Sequence, residues 1–147
     1  MKDFIKNIIV VAVVAFTLQL IWEYAQCDIF YTMNELTNGT RLMLSATFGD
    51  MMMSIILYGL LAFVNTDVNW ILKKWHRHDH IITMLYALFL SFYFEISALY
   101  NNRWGYNETT MPLFPNTNIA LIPVIQLVVL FPIIFIISRA ILRRLAK

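Results

Sequence analysis

With 147 residues, 60% of them hydrophobic and only 14% charged, the chain is too apolar for an ordinary soluble domain and too rich in large side chains for a disordered one. Its net charge of +2 is small, and its single cysteine, Cys27, excludes an internal disulfide or a thiolate metal cluster. The charges gather between long apolar runs, which predicts an all-α polytopic membrane protein built as one domain over residues 1–147.

The first run, residues 8–26, is broken only by Thr17, Gln19 and Glu23. Lys2 and Lys6 precede it as they would in a signal peptide, but no small-x-small cleavage site follows, so a retained helix is expected. The second span, 42–64, carries Ser45, Thr47, Asp50 and Ser54. The third, 81–100, carries Ser91 and Glu95, and the fourth, 119–137, carries Pro123 and Gln126. Each is close to the roughly 20 residues that cross a bilayer as a helix, so the expected architecture is an antiparallel four-transmembrane-helix bundle. Lys2 and Lys6 precede the first span, Lys73, Lys74 and Arg77 join the second to the third, and Arg139, Arg143, Arg144 and Lys147 follow the fourth. The other two loops, 27–41 and 101–118, hold only Arg41 and Arg103. This bias predicts cytoplasmic termini and middle loop, outward-facing loops 27–41 and 101–118, and residence in a bacterial cytoplasmic (inner) membrane. Trp22, Trp70, Trp75 and Trp104 fall at or just beyond span ends, where an aromatic belt would place them.

A charge left alone in hydrocarbon costs at least a few kcal/mol, so Glu23, Asp50 and Glu95 need a partner, a cavity or a substrate. At a rise of about 1.5 Å per residue, all three fall within about two turns of the outer ends of their spans, and Gln126 lies at a similar depth. The inner halves look nearly devoid of polar residues. Gln19, Glu23 and Gln26 share one helical face, Thr47, Asp50 and Ser54 another, and Ser91 and Glu95 a third. Gly49 is expected to allow close helix approach, and Pro123 to free a carbonyl and kink the fourth helix. The result is an outward-opening polar cavity with Arg103 as its natural cation. Three acids against one arginine leave surplus negative charge, so either an acid holds a proton or a cation binds there. The simpler alternative is that the polar residues only fasten helices together, at about 0.6–2 kcal/mol per hydrogen bond, with Glu23 snorkelling to the interface.

In the second outer loop, Arg103, Trp104 and Tyr106 lie just beyond Glu95, and Met111, Pro112 and Pro115 stiffen the return into the membrane. They suit a lid or headgroup-binding surface as well as a plain interfacial anchor. In the middle loop, His76, His78 and His80 with Asp79 resemble metal ligands, but their spacing is irregular and Arg77 and the lysines oppose a cation; a basic surface for anionic lipid is the simpler reading. No nucleotide-binding, metalloprotease, nucleophile-elbow or nucleic-acid-binding motif is present, and no motif requires a cofactor.

Trp22-Glu23-x-x-Gln26, Thr47-x-Gly49-Asp50, Glu95, Trp104-x-Tyr106, Met111-Pro112-x-x-Pro115 and Pro123-x-x-Gln126 together resemble the pattern of a group of small, uncharacterised four-helix bacterial integral membrane proteins. The resemblance covers most of the chain and departs at Ala46, where that group often carries cysteine. It implies that these residues act together, and implies no activity.

Three functions fit. The first is an intramembrane enzyme acting on a lipid or isoprenoid, with Glu23, Asp50 and Glu95 as acid/base groups and Gln26, Arg103, Trp104, Tyr106 and Gln126 binding substrate. The same acids would suit a hard divalent cation better than zinc. The second is a proton- or cation-coupled transporter or channel subunit, possible as a homo-oligomer. The third is an accessory protein that meets a membrane protein partner through Trp104 and Tyr106. Membrane lipids are expected partners in all three, and nucleic acid in none.

Overall fold

The computed structural model describes residues 2–32, 39–102 and 105–145. Four helices dominate: α1 (Lys2–Phe30), α2 (Gly39–Val64), α3 (Arg77–Tyr100) and α4 (Leu121–Leu145). All four are long and apolar enough to cross a membrane, which supports a membrane location. They overrun the apolar spans because polar residues at a helix end interrupt hydropathy without interrupting backbone hydrogen bonds. Arg143 and Arg144 lie in the last turn of α4, where positive charge complements the helix dipole. Phe63, Phe89 and Ile136 are exposed on the outside of the bundle, a composition suited to lipid contact.

Helix α1 packs along α2 and α4, α3 packs along α4, and α2 and α3 touch at few points. The order across the bundle is therefore α2–α1–α4–α3, with the first and last helices forming the inner pair. Val11 and Ala15 of α1, Leu57 and Leu61 of α2, Ala87 of α3, and Phe131 and Ile134 of α4 are fully buried at the centre. Alanines on α1 and α3 let the bulky residues of α2 and α4 come close.

The half of the bundle that carries the termini is more polar than the sequence suggests. Asn7, fully buried, points its Nδ2 at Tyr58 Oη (3.1 Å), Val68 O (2.9 Å) and Asn69 Oδ1 (3.1 Å). Tyr58 itself donates to Val68 O at 2.6 Å. Thr83 and Ser138 are buried in the same half. Asn7 escapes a hydropathy reading because it precedes the apolar run, and Tyr58 because its ring counts as apolar. Trp70 also departs from the expected belt. It is buried in the core, its ring 5.3 Å from Phe135, and donates through Nε1 to Tyr58 O at 3.2 Å. In the loop after α2, Asp67 accepts from the Asn69 amide and pairs with Lys73 at 2.9 Å, and the Lys73 bond foremost holds its carboxyl below the usual range.

Two backbone expectations are corrected. Pro123 is the third residue of α4, where an amide hydrogen would have no helical acceptor, and the Ile119 carbonyl it was expected to free accepts from the Phe114 amide at 2.8 Å. The proline inside the helix is Pro132. A Cβ on Gly49 would meet nothing within 4 Å, so that glycine serves no close helix approach.

Asn7 ties α1 to the end of α2 and its following loop, and its loss leaves buried acceptors short of a donor. Asn7→Leu is expected to lower stability by about 1–3 kcal/mol, read as a fall in the thermal midpoint in detergent with helix content unchanged at low temperature. An unchanged midpoint would show that the cluster adds nothing to the fold.

Candidate functional site

A cavity of about 340 Å³ opens where α2 and α3 diverge, in the half of the bundle away from the termini. Helix α1 contributes Glu23, Gln26 and Cys27, and α4 contributes Pro123, Gln126 and Leu127. On α2, Leu42, Ala46, Gly49, Asp50 and Met53 follow one helical face; on α3, Ser91, Phe94 and Glu95 do the same. Glu23, Asp50, Glu95, Gln26 and Gln126 thus meet in a single space.

Gln126 is its hub. Its Nε2 lies 2.8 Å from Gln19 Oε1, 3.0 Å from Glu23 Oε1 and 2.9 Å from Asp50 Oδ2. An amide nitrogen has two hydrogens, so three oxygens compete for two donors. Gln26 Nε2 adds longer contacts to Gln126 Oε1 (3.3 Å) and Glu23 Oε1 (3.4 Å). Thr47 and Ser54 share the Asp50 face but turn inward on their own helix, donating to Met43 O at 2.8 Å and Asp50 O at 2.9 Å. Asp50 is therefore the polar group of that face that reaches the hub.

Glu95 accepts a hydrogen bond from the Tyr106 hydroxyl. Tyr106 belongs to β2 (Gly105–Tyr106), which pairs antiparallel with β1 (Tyr31–Thr32) at the end of α1. Further along, the Asn107 amide donates to Phe30 O at 2.9 Å and Thr110 Oγ1 to Ile29 O. Phe114 packs edge-on against Phe92 of α3, their ring centroids 5.3 Å apart. The loop is thus fastened to both α1 and α3, with the Tyr31 and Tyr106 rings meeting 5.9 Å apart beside the acids. Burial, then the bond and charge of Glu95, push the Tyr106 phenol well above its ordinary value, so it remains a donor at any physiological pH. Burial and the nearby Glu95 raise the Tyr31 phenol likewise.

Toward the termini the lining extends as far as Met53, Ser91 and Leu127. Tyr86 of α3 donates to Met53 O of α2 at 3.2 Å and sets its ring 5.8 Å from that of Phe131. Beyond them lie the fully buried Leu57, Phe131 and Ile134.

Arg103 and Trp104 lie outside the described residues. Gln19 and Tyr31 belong to the site although the sequence argument left them out of the binding set. Gln19 carried a signal, its helical register with Glu23. Tyr31 carried none, since its place depends on a two-residue strand pair.

A second polar group sits at the start of α3. Donor atoms of His76, His78 and Asp79 lie within 4.8 Å of one another, close enough that the cluster could coordinate a metal ion. The same atoms also form a helix cap: Asp79 Oδ2 accepts the His76 amide at 2.7 Å, the His76 side chain accepts the Asp79 amide, and Asn65 Nδ2 donates to Asp79 Oδ1 at 2.7 Å. His80 is separate, its ring tilted at 50° to that of Trp75 with centroids 4.9 Å apart. Among the described residues this is the one group of three such donors so close together; Glu23, Asp50 and Glu95 do not form another.

Comparison with family models, curated proteins and solved structures yields no match for the chain.

The strand pair that seats Tyr106 depends on Gly105, whose Cβ would come within 2.6 Å of Thr32 Oγ1. Gly105→Ala is therefore expected to loosen the loop, raising amide hydrogen exchange over residues 105–111 severalfold. Adding Thr32→Ala removes the obstructing hydroxyl and should restore protection. Equal exchange in all three proteins would show that the pairing does not hold the loop.

Proposed function

We propose that the chain is an integral membrane protein whose cavity receives the polar end of a lipid or isoprenoid and performs acid/base chemistry on it. The observation that carries this reading is the convergence of Glu23 and Asp50 on the one amide nitrogen of Gln126, inside a cavity with otherwise largely apolar walls. Two carboxyl groups that share an amide and compete for its hydrogens are suited to holding one proton between them. The protonated one acts as acid toward the substrate while its neighbour accepts a proton in return. Glu95, held by Tyr106, is the third candidate acid/base group. In this reading the loop charges put both termini in the cytoplasm of a bacterial inner membrane, and the cavity faces the outer leaflet.

The rival functions are less well supported. A transporter needs a continuous path beyond the acids, whereas the cavity lining goes no further than Met53, Ser91 and Leu127, next to the fully buried Leu57, Phe131 and Ile134. An accessory protein that recruits a partner through Tyr106 needs its hydroxyl available, whereas Glu95 engages it. A purely structural role for the acids does not call for more acceptors than donors.

Photocrosslinking in nanodiscs tests the proposal. A prenol or diacyl lipid with a diazirine near its polar end should label the cavity segments 42–53 and 91–95. Glu23→Gln and Asp50→Asn should each cut that labelling at least tenfold while leaving the thermal midpoint within a few degrees. Labelling spread over the outward residues Phe63 and Phe89, indifferent to both substitutions, would refute a binding cavity.

A further inference from the structure

The cavity also specifies which polar end it takes, an inference that rests on the lipid-binding reading above. Among its described lining residues there is no lysine, arginine or histidine. Glu23 and Asp50 face it, and their nearest shared donor is the Gln126 amide, which Gln19 also claims. Gln26, only 5% exposed, is among the lining residues, and its buried Oε1 has no hydrogen-bond partner. An unpartnered buried carbonyl beside Glu23, which shares one amide with Asp50, leaves acceptors in want of donors. The remaining walls, Leu42, Met43, Met53, Phe94 and Leu127, suit an aliphatic chain.

We infer that the cavity binds an amphiphile through a primary ammonium group, which sits between Glu23, Asp50 and the Gln26 carbonyl with its chain against α2 and α3. An ammonium supplies three N–H donors and a positive charge, and the described lining residues offer no cation of their own. A phosphate or carboxylate head would add acceptors and negative charge to a place that already holds two acids. A divalent cation fits less well, because Glu23, Asp50 and Glu95 do not bring three carboxylate oxygens close together.

Competition against the crosslinking probe distinguishes these heads. In nanodiscs at fixed lipid composition, a long-chain primary amine should displace the probe at concentrations at least tenfold below those of the chain-matched alcohol, carboxylate and monophosphate. Butylamine should fail, which separates a lipid headgroup from a free amine. If the alcohol matches the amine, the acids are neutralised by protons and the ammonium assignment is wrong, though the binding cavity stands. If the phosphate or carboxylate matches it, or butylamine competes equally, the assigned ligand class is wrong in the same way. If no probe labels the cavity at all, the lipid-binding function itself fails.

A tethered cation gives a check that needs no ligand. Gln26→Lys places an ammonium beside Glu23 and should raise the thermal midpoint while abolishing displacement by the amine. Gln26→Leu removes the unpartnered carbonyl and should weaken the amine severalfold with the fold intact. A Gln26→Lys protein less stable than Gln26→Leu would overturn the inference, because the site would then reject the charge it is inferred to hold.

Discussion

One amide nitrogen, on Gln126, faces oxygens from Gln19, Glu23 and Asp50, and so joins α4 to both α1 and α2 at a single depth. In a low-dielectric interior each of these bonds is stronger than it would be in water, and each oxygen left without one is correspondingly expensive. The inner pair α1 and α4 is therefore aligned by a polar contact in one half and by apolar packing of Val11, Ala15, Phe131 and Ile134 in the other. Helix α2 is drawn in by Asp50. Helix α3 instead sets Glu95 against Tyr106 of the loop, and the cavity opens between α2 and α3.

That space is bounded by two small contacts made by tyrosine hydroxyls. Tyr86 reaches across to the Met53 carbonyl at the end toward the termini, and Tyr106 reaches down from the loop to Glu95 at the other. Neither end relies on an ion pair among the described residues. The site thus separates two tasks: the amide hub joins the acids of α1 and α2 to α4, and the tyrosines tie α3 to α2 at one end and to the loop at the other.

Much of this was legible in the sequence. Four spans are apparent from hydropathy, and the shared depth of Glu23, Asp50, Glu95 and Gln126 follows from charge bias and the rise of a helix. Which helices neighbour one another was not legible, since connection lengths allow several orders and only packing puts α1 beside α4. Gly49 shows the ambiguity of a small residue: the same signature suits a tight crossing and a cavity wall, and here it is a wall. Pro123 was misread because the start of α4 is set by a preceding turn, in which Leu113 bridges Ala120 and Phe114 bonds to Ile119. Asn7 and Tyr58 hid from hydropathy for opposite reasons, one by lying outside the apolar run and the other by resembling it.

The order of helices across the bundle bears on how the protein is made. The inner pair consists of α1 and α4, which α2 and α3 separate in sequence, so the central contact forms only after all four helices have been made. Until then Glu23 and Asp50 lack the amide that joins them, and an acid left without a partner in apolar surroundings is costly. A chain cut short before α4 would carry both acids without their hub, two buried polar groups competing for partners that α1 and α2 alone do not supply.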